Sequence, residues 1–318
     1  MSSPLMCLGM PRSGTTWVAK IIDSHPDVFY NHEPDSVFCS RLSEVKLLTT
    51  EIKNNDIEAV SSLVRGLPYT HEKCLGKRPF FNKNYRSFIA EKLFQLSIIS
   101  TKATGANLII PQDKYRQNDR VKQMFKSIES MGRLNLFLHA VDDLKILFIV
   151  RSVFGQINSV IKGSSAGEFC DNQMNHVAQQ ELKRFYDIHG ENNHHELEKV
   201  LNYSPVEQLA YKWLVYNEKA LIDAEAFKER VKVISYDKLC DQPLEGAKEI
   251  FKFFDLSFDQ QSADFIKEST SSHSDTFYSV NKDPKKAKAS WKKNLNDEQV
   301  ELILEVVKGS RAQAVMQQ

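Results

Sequence analysis

The residues best suited to chemistry are Gly9-Met10-Pro11-Arg12-Ser13-Gly14-Thr15-Thr16-Trp17. They follow an apolar run at 4–8 and open a helix-like run at 18–24. A strand, a glycine turn and a helix N-terminus together cradle phosphate, because their backbone N–H groups converge on one anion. The spacing from Gly9 to Gly14 matches the phosphate-loop pattern G-x-x-x-x-G-K-[ST], but Thr15 stands at the lysine position. The lysine that reaches the β/γ-phosphates of a triphosphate is therefore replaced, and Arg12 brings a cation inside the loop instead. Such a loop suits a nucleotide 5′-phosphate group and does not suit ordinary ATP hydrolysis.

A second anion site is written near the middle of the chain. Leu147-Phe148-Ile149-Val150 is a four-residue apolar run of the kind found in buried parallel strands. Where a nucleotide hydrolase would end this strand in a Mg²⁺-holding aspartate, the chain has Arg151. Open α/β sheets bind ligands at strand carboxyl ends, and the planar guanidinium fork grips phosphate with two bonds. Ser159 follows eight residues later, in the first turns of the next helix. Taken alone, Arg151 also fits a surface ion pair.

Together these segments resemble the sulfotransferase family. Pro11 to Trp17 looks like its 5′-phosphosulfate loop, and Val150-Arg151 with Ser159 looks like its 3′-phosphate site. The family usually follows the arginine with Asp-Pro or Asn, where this chain has Ser152-Val153. The resemblance implies 3′-phosphoadenosine 5′-phosphosulfate as donor, with one anionic group for each site and no metal. Arg12, Ser13, Gly14, Thr15 and Thr16 would hold the 5′-phosphate. Trp17 would pack against adenine, or else be a core aromatic of the first helix.

The segment Ser24-His25-Pro26-Asp27-Val28-Phe29-Tyr30-Asn31-His32-Glu33-Pro34 is similar to that of the carbohydrate sulfotransferases, where the glutamate is a candidate base. Glu33 is thus expected to take the acceptor's proton, with His32 as its rival. Adjacent strand residues point to opposite faces, so one of the two is expected to face the acceptor. His139 lies in an apolar-rich run and reads as a helix-face or core histidine. The acceptor implied is a hydroxyl on a carbohydrate or glycolipid. A small-molecule alcohol or phenol, a kinase using the same loop, or a non-catalytic nucleotide-binding protein are the alternatives.

The composition is that of an ordinary globular enzyme: 318 residues, 42% hydrophobic and 26% charged. The fold expected is α/β, a P-loop-like three-layer arrangement in which helices flank a mostly parallel sheet, within one domain over 1–318. A net charge of +1 gives no global drive toward nucleic acid or membrane. Five cysteines without a C-x-x-C pair argue against a disulfide framework or zinc knuckle and suggest a reducing, cytoplasmic setting. No apolar run reaches transmembrane length.

Further along, 40–63 and 121–138 read as helical and 107–111 as a strand with Asp113 and Lys114 just past its end. The basic stretch 65–86 could meet an anionic acceptor or be solvated. A polar helical insertion is expected around 163–204, whose window 189–196 holds His189, His194 and His195. A metal reading there is weak, since neighbouring residues rarely share one ion. An amphipathic helix at 205–227 and a strand at 231–237 follow, the latter resembling the family's Tyr-Glu-Asp-Leu segment in altered form. The C-terminal basic loop 282–293 would cover the donor or acceptor with Lys285, Lys286 and Trp291, unless it is simply a solvated charge run.

Overall fold

A computed structural model of the protein describes residues 3–42, 45, 48, 51–70, 75–105, 120–165, 177, 179–189, 195–271 and 288–317. Five parallel strands form one sheet in the order β2-β3-β1-β4-β5. They are β1 (Leu5–Gly9), β2 (Val28–His32), β3 (Lys122–Ser127), β4 (Lys145–Val150) and β5 (Val231–Ser235). β1 pairs with β3 on one side and β4 on the other, Leu8 lying beside Ser127 and beside Phe148. From β1 the chain moves outward to β2, and from β4 it moves outward to β5. The order therefore reverses between β1 and β4, and the crevice above their carboxyl ends is where an open α/β sheet binds its ligand.

Alternation along the strands sends side chains to two cores. Leu5, Cys7, Met124, Leu147 and Ile149 face one, packed by helix α1 (Thr15–Asp23) and the later helices Pro243–Phe253 and Gln260–Ser271. Met6, Leu8, Phe125, Ile146 and Phe148 face the other, covered by helices Leu134–Ala140, Val153–Ser165 and Pro205–Glu225. Because both faces are covered, the strands carry apolar side chains in both directions, which is why they read as continuous apolar runs. The helix Pro205–Glu225 is opened by a capping box, Ser204 with Glu207.

Two expected elements are corrected. The stretch 121–138 is not one helix: Lys122–Ser127 is strand β3, and helix begins only at Leu134. Val121, Met124 and Phe125 stand at helical spacing, but Met124 and Phe125 go to opposite sides of the sheet. Within 40–63, Cys39–Leu42 is a 3-10 turn and the α-helix spans Asn54–Gly66. The strand expected at 107–111, with Asp113 and Lys114, lies outside the described residues, as do Lys285, Lys286 and His194.

Candidate active site

The loop after β1 runs through Met10 and Pro11 into Arg12 and Gly14, both with left-handed backbones (φ 72° and 82°). These two reversals fold the chain tightly enough for the Ser13 N–H to donate to the Met10 carbonyl at 3.1 Å. Gly14 is then the N-cap of α1 and supplies no side-chain cap, so the N–H groups of the first turn face the crevice without one. Only glycine fits at 14: beyond its φ, an added Cβ would lie 2.1 Å from the Tyr236 ring.

The second anchor is built against the first. Arg151, nearly buried, donates from Nη1 to the Arg12 carbonyl at 2.7 Å. The Arg12 Nε–H donates to Ser159 Oγ at 2.9 Å. Gln156, on the same helix as Ser159, donates to the Pro11 carbonyl at 3.0 Å. Arg151 also lies over the Tyr236 ring, 5.2 Å from its centroid. The Trp213 indole N–H donates to the Arg151 carbonyl at 3.1 Å, and the Ser152 N–H donates to the Asp237 carboxylate at 2.8 Å. Arginine backbone, arginine head and loop are thus each held by a different element. Arg12, Ser13, Gly14, Thr15, Thr16, Arg151 and Ser159 come together in one crevice.

Trp17 points away from solvent at 7% exposure. Its indole N–H donates to Ser269 Oγ at 3.0 Å and its ring meets Tyr236 edge-on at 6.0 Å. These contacts belong to its core reading. Trp291 stacks on Phe154 at 4.6 Å, and Asn158 Nδ2 donates to Ser290 Oγ at 3.0 Å. The described part of the basic loop therefore rests on the helix that carries Ser159. It borders a cavity of about 710 Å³ lined by Ser152, Phe154, Asp237, Lys238, Lys288 and Trp291.

Across the crevice, β2 ends at His32 and the chain turns at Glu33, which has a left-handed φ of 51°. The expectation that strand alternation separates His32 from Glu33 is corrected here. Glu33 lies past the last strand residue, and its reversed backbone brings Oε1 to 3.7 Å from His32 Nε2. The Glu33 carboxylate is ion-paired with Lys126, a buried lysine near the end of β3. His32 Nδ1 meets the Tyr30 hydroxyl at 2.6 Å, and Lys77 Nζ lies 3.4 Å from Nε2. An ammonium can only donate, so Nε2 is the acceptor in that contact. Burial, then Lys126, Lys77, Lys102 and Lys20, push the His32 pKa far below its ordinary value, so the ring is neutral.

Lys126 was not legible as a site residue because its segment read as helix. The register that places it beside Cys7, two residues before the loop, is a property of the sheet. Within the basic stretch 65–86, Arg78 is exposed and Lys77, Lys83 and Arg86 turn inward. Lys83 pairs with Asp23 at 3.0 Å, Arg86 with Glu91 at 3.0 Å, and Lys77 reaches His32. His139 is an exposed helix residue whose Nδ1 meets the Asn135 carbonyl. His195 is engaged by the Tyr203 hydroxyl and the Val306 carbonyl. Among the described residues no group of three His, Cys, Asp or Glu side chains could hold a metal ion, and no helix is long and apolar enough to cross a membrane.

Solved structures with similar folds include the sulfotransferase domain of the Synechococcus PCC 7002 olefin synthase. It is 14% identical, with 96% of this chain and 95% of that chain covered and a TM-score of 0.48. The mouse sulfotransferase SULT7A1 complexed with PAP is 13% identical over 99% of this chain and 88% of that one, with a TM-score of 0.45. A sulfotransferase from Alicyclobacillus acidocaldarius is 13% identical over 94% and 100%, with a TM-score of 0.42. No curated protein matches the chain. The model of the sulfotransferase family, however, matches residues 4–260, which take in the loop, Glu33, Lys126, Arg151 and Ser159. The chain belongs to the sulfotransferase family and is a sulfotransferase enzyme.

Proposed function

We propose that this sulfotransferase moves a sulfuryl group from 3′-phosphoadenosine 5′-phosphosulfate to a hydroxyl of a carbohydrate or glycolipid. The observation that carries the donor assignment is the joining of two cationic anchors, Arg12 to Ser159 and Arg151 to the Arg12 carbonyl. A mononucleotide with a single phosphate needs one such anchor; a 3′,5′-bisphosphate uses both. The cradle fits the group, since any side chain at 14 would strike Tyr236 and close the loop.

The donor supplies an activated sulfuryl group; the protein supplies grip, charge and a base. The first-turn N–H groups of α1, with Arg12, Ser13, Thr15 and Thr16, hold the 5′-phosphate. They stabilise the charge it gains as its bond to sulfur breaks. Arg151 and Ser159 hold the 3′-phosphate, and Lys285 and Trp291 are proposed to close over the donor from the basic loop. Glu33 takes the proton of the acceptor hydroxyl as the new oxygen–sulfur bond forms. Lys126 holds that carboxylate in place and keeps positive charge beside the transfer path. His32, neutral and 3.7 Å from Glu33, is the alternative base. The acceptor class rests on the likeness of residues 24–34 to the carbohydrate branch.

Calorimetric titration with adenosine 3′,5′-bisphosphate, AMP and ATP·Mg²⁺ tests the donor. Clear preference for the bisphosphate is expected. Preference for ATP·Mg²⁺ overturns the reading in favour of a kinase.

A further inference from the structure

One side of the helix Phe88–Thr104 stands exposed among the described residues. Ser87 caps it, accepting from the Ala90 N–H at 3.3 Å, and Gly105 ends it with φ 71°. Its inner side is packed: Phe94 tilts against Phe29 of β2, the Arg86 guanidinium lies 3.6 Å from the Phe94 ring centroid, and Ile98 fills the space over Gly76. Its outer side carries Phe88, Ile89, Leu93 and Leu96, exposed by 72, 71, 46 and 60%. These include the most exposed large apolar residues among those described. At 100° per residue the four span an arc of about 140°, one continuous stripe. Single exposed apolar residues need no explanation, but a contiguous stripe marks an interaction surface.

The charges around the stripe identify the occupant. Lys92 falls inside the arc, between Phe88 and Leu96, and is exposed. Lys102 is exposed near the end of the helix. The helix's single acid, Glu91, is turned inward, buried and paired with Arg86 at 3.0 Å. Lys102 Nζ turns back to the Gly76 carbonyl, so the outward charge of the helix is Lys92, and it is positive. An apolar stripe that holds a lysine and no outward acid suits a helix lying in a lipid interface, where a lysine stem follows the apolar surface and its head reaches the headgroups. At 17 residues the helix lies on such a surface without crossing it.

The C-terminal half of the same helix reaches toward the His32 and Glu33 corner. Ile98 and Lys102 both meet Gly76, and the next residue, Lys77, reaches His32. We infer that the outer face of helix Phe88–Thr104 docks this enzyme on anionic lipid surfaces. The docking does not depend on the acceptor. Its consequence, that the acceptor is a lipid-borne hydroxyl met at the membrane, rests on the glycolipid reading above.

The test is co-sedimentation of the full chain with vesicles of phosphatidylcholine, alone or mixed with phosphatidylglycerol. Partition onto the mixed vesicles is expected to exceed that onto the neutral ones by about tenfold or more and to fall with added salt. The triple variant Phe88→Ser, Ile89→Ser, Leu96→Gln should lose at least about tenfold of that partition. It should retain wild-type binding of adenosine 3′,5′-bisphosphate, which shows that it is folded. Lys92→Glu alone should weaken binding to the mixed vesicles and leave binding to the neutral ones unchanged. No sedimentation of the wild type, or equal sedimentation of the triple variant, overturns the proposal. So does a concentration-dependent dimer that the triple variant abolishes, since the stripe would then join two copies of the chain. Failure of bisphosphate binding by the wild type would instead count against the donor assignment and leave the vesicle result standing.

Discussion

The two corners that face each other across the crevice are built differently. Each follows a parallel strand, and each has a non-glycine residue with positive φ, Arg12 at 72° and Glu33 at 51°. The Arg12 corner is locked by hydrogen bonds and packing without an ion pair among the contacts named: Arg151 on its carbonyl, Ser159 on its guanidinium, Gln156 on Pro11, and Tyr236 against Gly14. The Glu33 corner is held by charge. Lys126 pairs with the carboxylate, and Lys77, Lys102 and Lys20 crowd a neutral His32. The Arg12 corner is therefore fixed by bonds and packing, and the Glu33 corner by a cluster of charges around a neutral ring.

The sharpest break in that comparison is Glu33→Gln. It keeps the shape and removes the proposed base, so turnover should fall by about 10² to 10⁴ while bisphosphate affinity stays at the wild-type value. Steady-state kinetics beside calorimetry reads both. If turnover persists and His32→Gln is inactive, the base is His32.

Arg151→Ala strikes the other corner. Losing a charged hydrogen-bond partner costs about 1.5–3 kcal/mol, or roughly ten- to a hundredfold in affinity. Binding of adenosine 3′,5′-bisphosphate should weaken by that much and AMP far less. Equal losses for both ligands would mean that Arg151 supports the loop and does not read the 3′-phosphate.

Acid should unsettle the Glu33 corner first. His32 is held below its ordinary pKa of 6.5 in the folded protein. Between the folded and unfolded values the unfolded chain binds the extra proton, so this group's contribution is complete above about pH 6.5 and is lost as pH falls. The slope is at most about 1.4 kcal/mol per pH unit for one group. Thermal melts from pH 7 to 5 should show it, and His32→Gln should flatten it. An unchanged slope in that variant would remove His32 from the balance.

The smallest effect expected on affinity is that of Trp17→Phe, which removes the indole N–H bonded to Ser269 and leaves a smaller ring in the core. A loss of about 1–3 kcal/mol of stability, with bisphosphate affinity unchanged, fits a core tryptophan. A clear loss of affinity would restore the adenine-packing role.

The donor side was legible because its chemistry is local. A glycine with positive φ, a serine, two threonines and an arginine within six residues can be recognised in one dimension, and so can an apolar strand that ends in arginine. The Glu33 corner is assembled from β2, β3 and the segment around Lys77, which no window of sequence joins. The spacing of Val121, Met124 and Phe125 also imitates a helix where the chain forms a strand. Tyr236 was visible as part of a familiar segment, but its place over Gly14 and under Arg151 was not.

What the sequence alone determined is the glycine turn after the first strand, the apolar strand that ends in Arg151, the parallel α/β class and the family, because each depends on residue types at fixed short spacings. What only the tertiary structure decided is which distant charges meet. Lys126 reaches Glu33 through strand register, Arg12 reaches Ser159 across the β1–β4 crevice, and helix Phe88–Thr104 sends Phe94 and Ile98 inward while Phe88, Ile89 and Leu96 stand exposed. Backbone conformation follows from neighbours in the chain; electrostatic and apolar partnership follows from neighbours in space, and only the folded sheet supplies those.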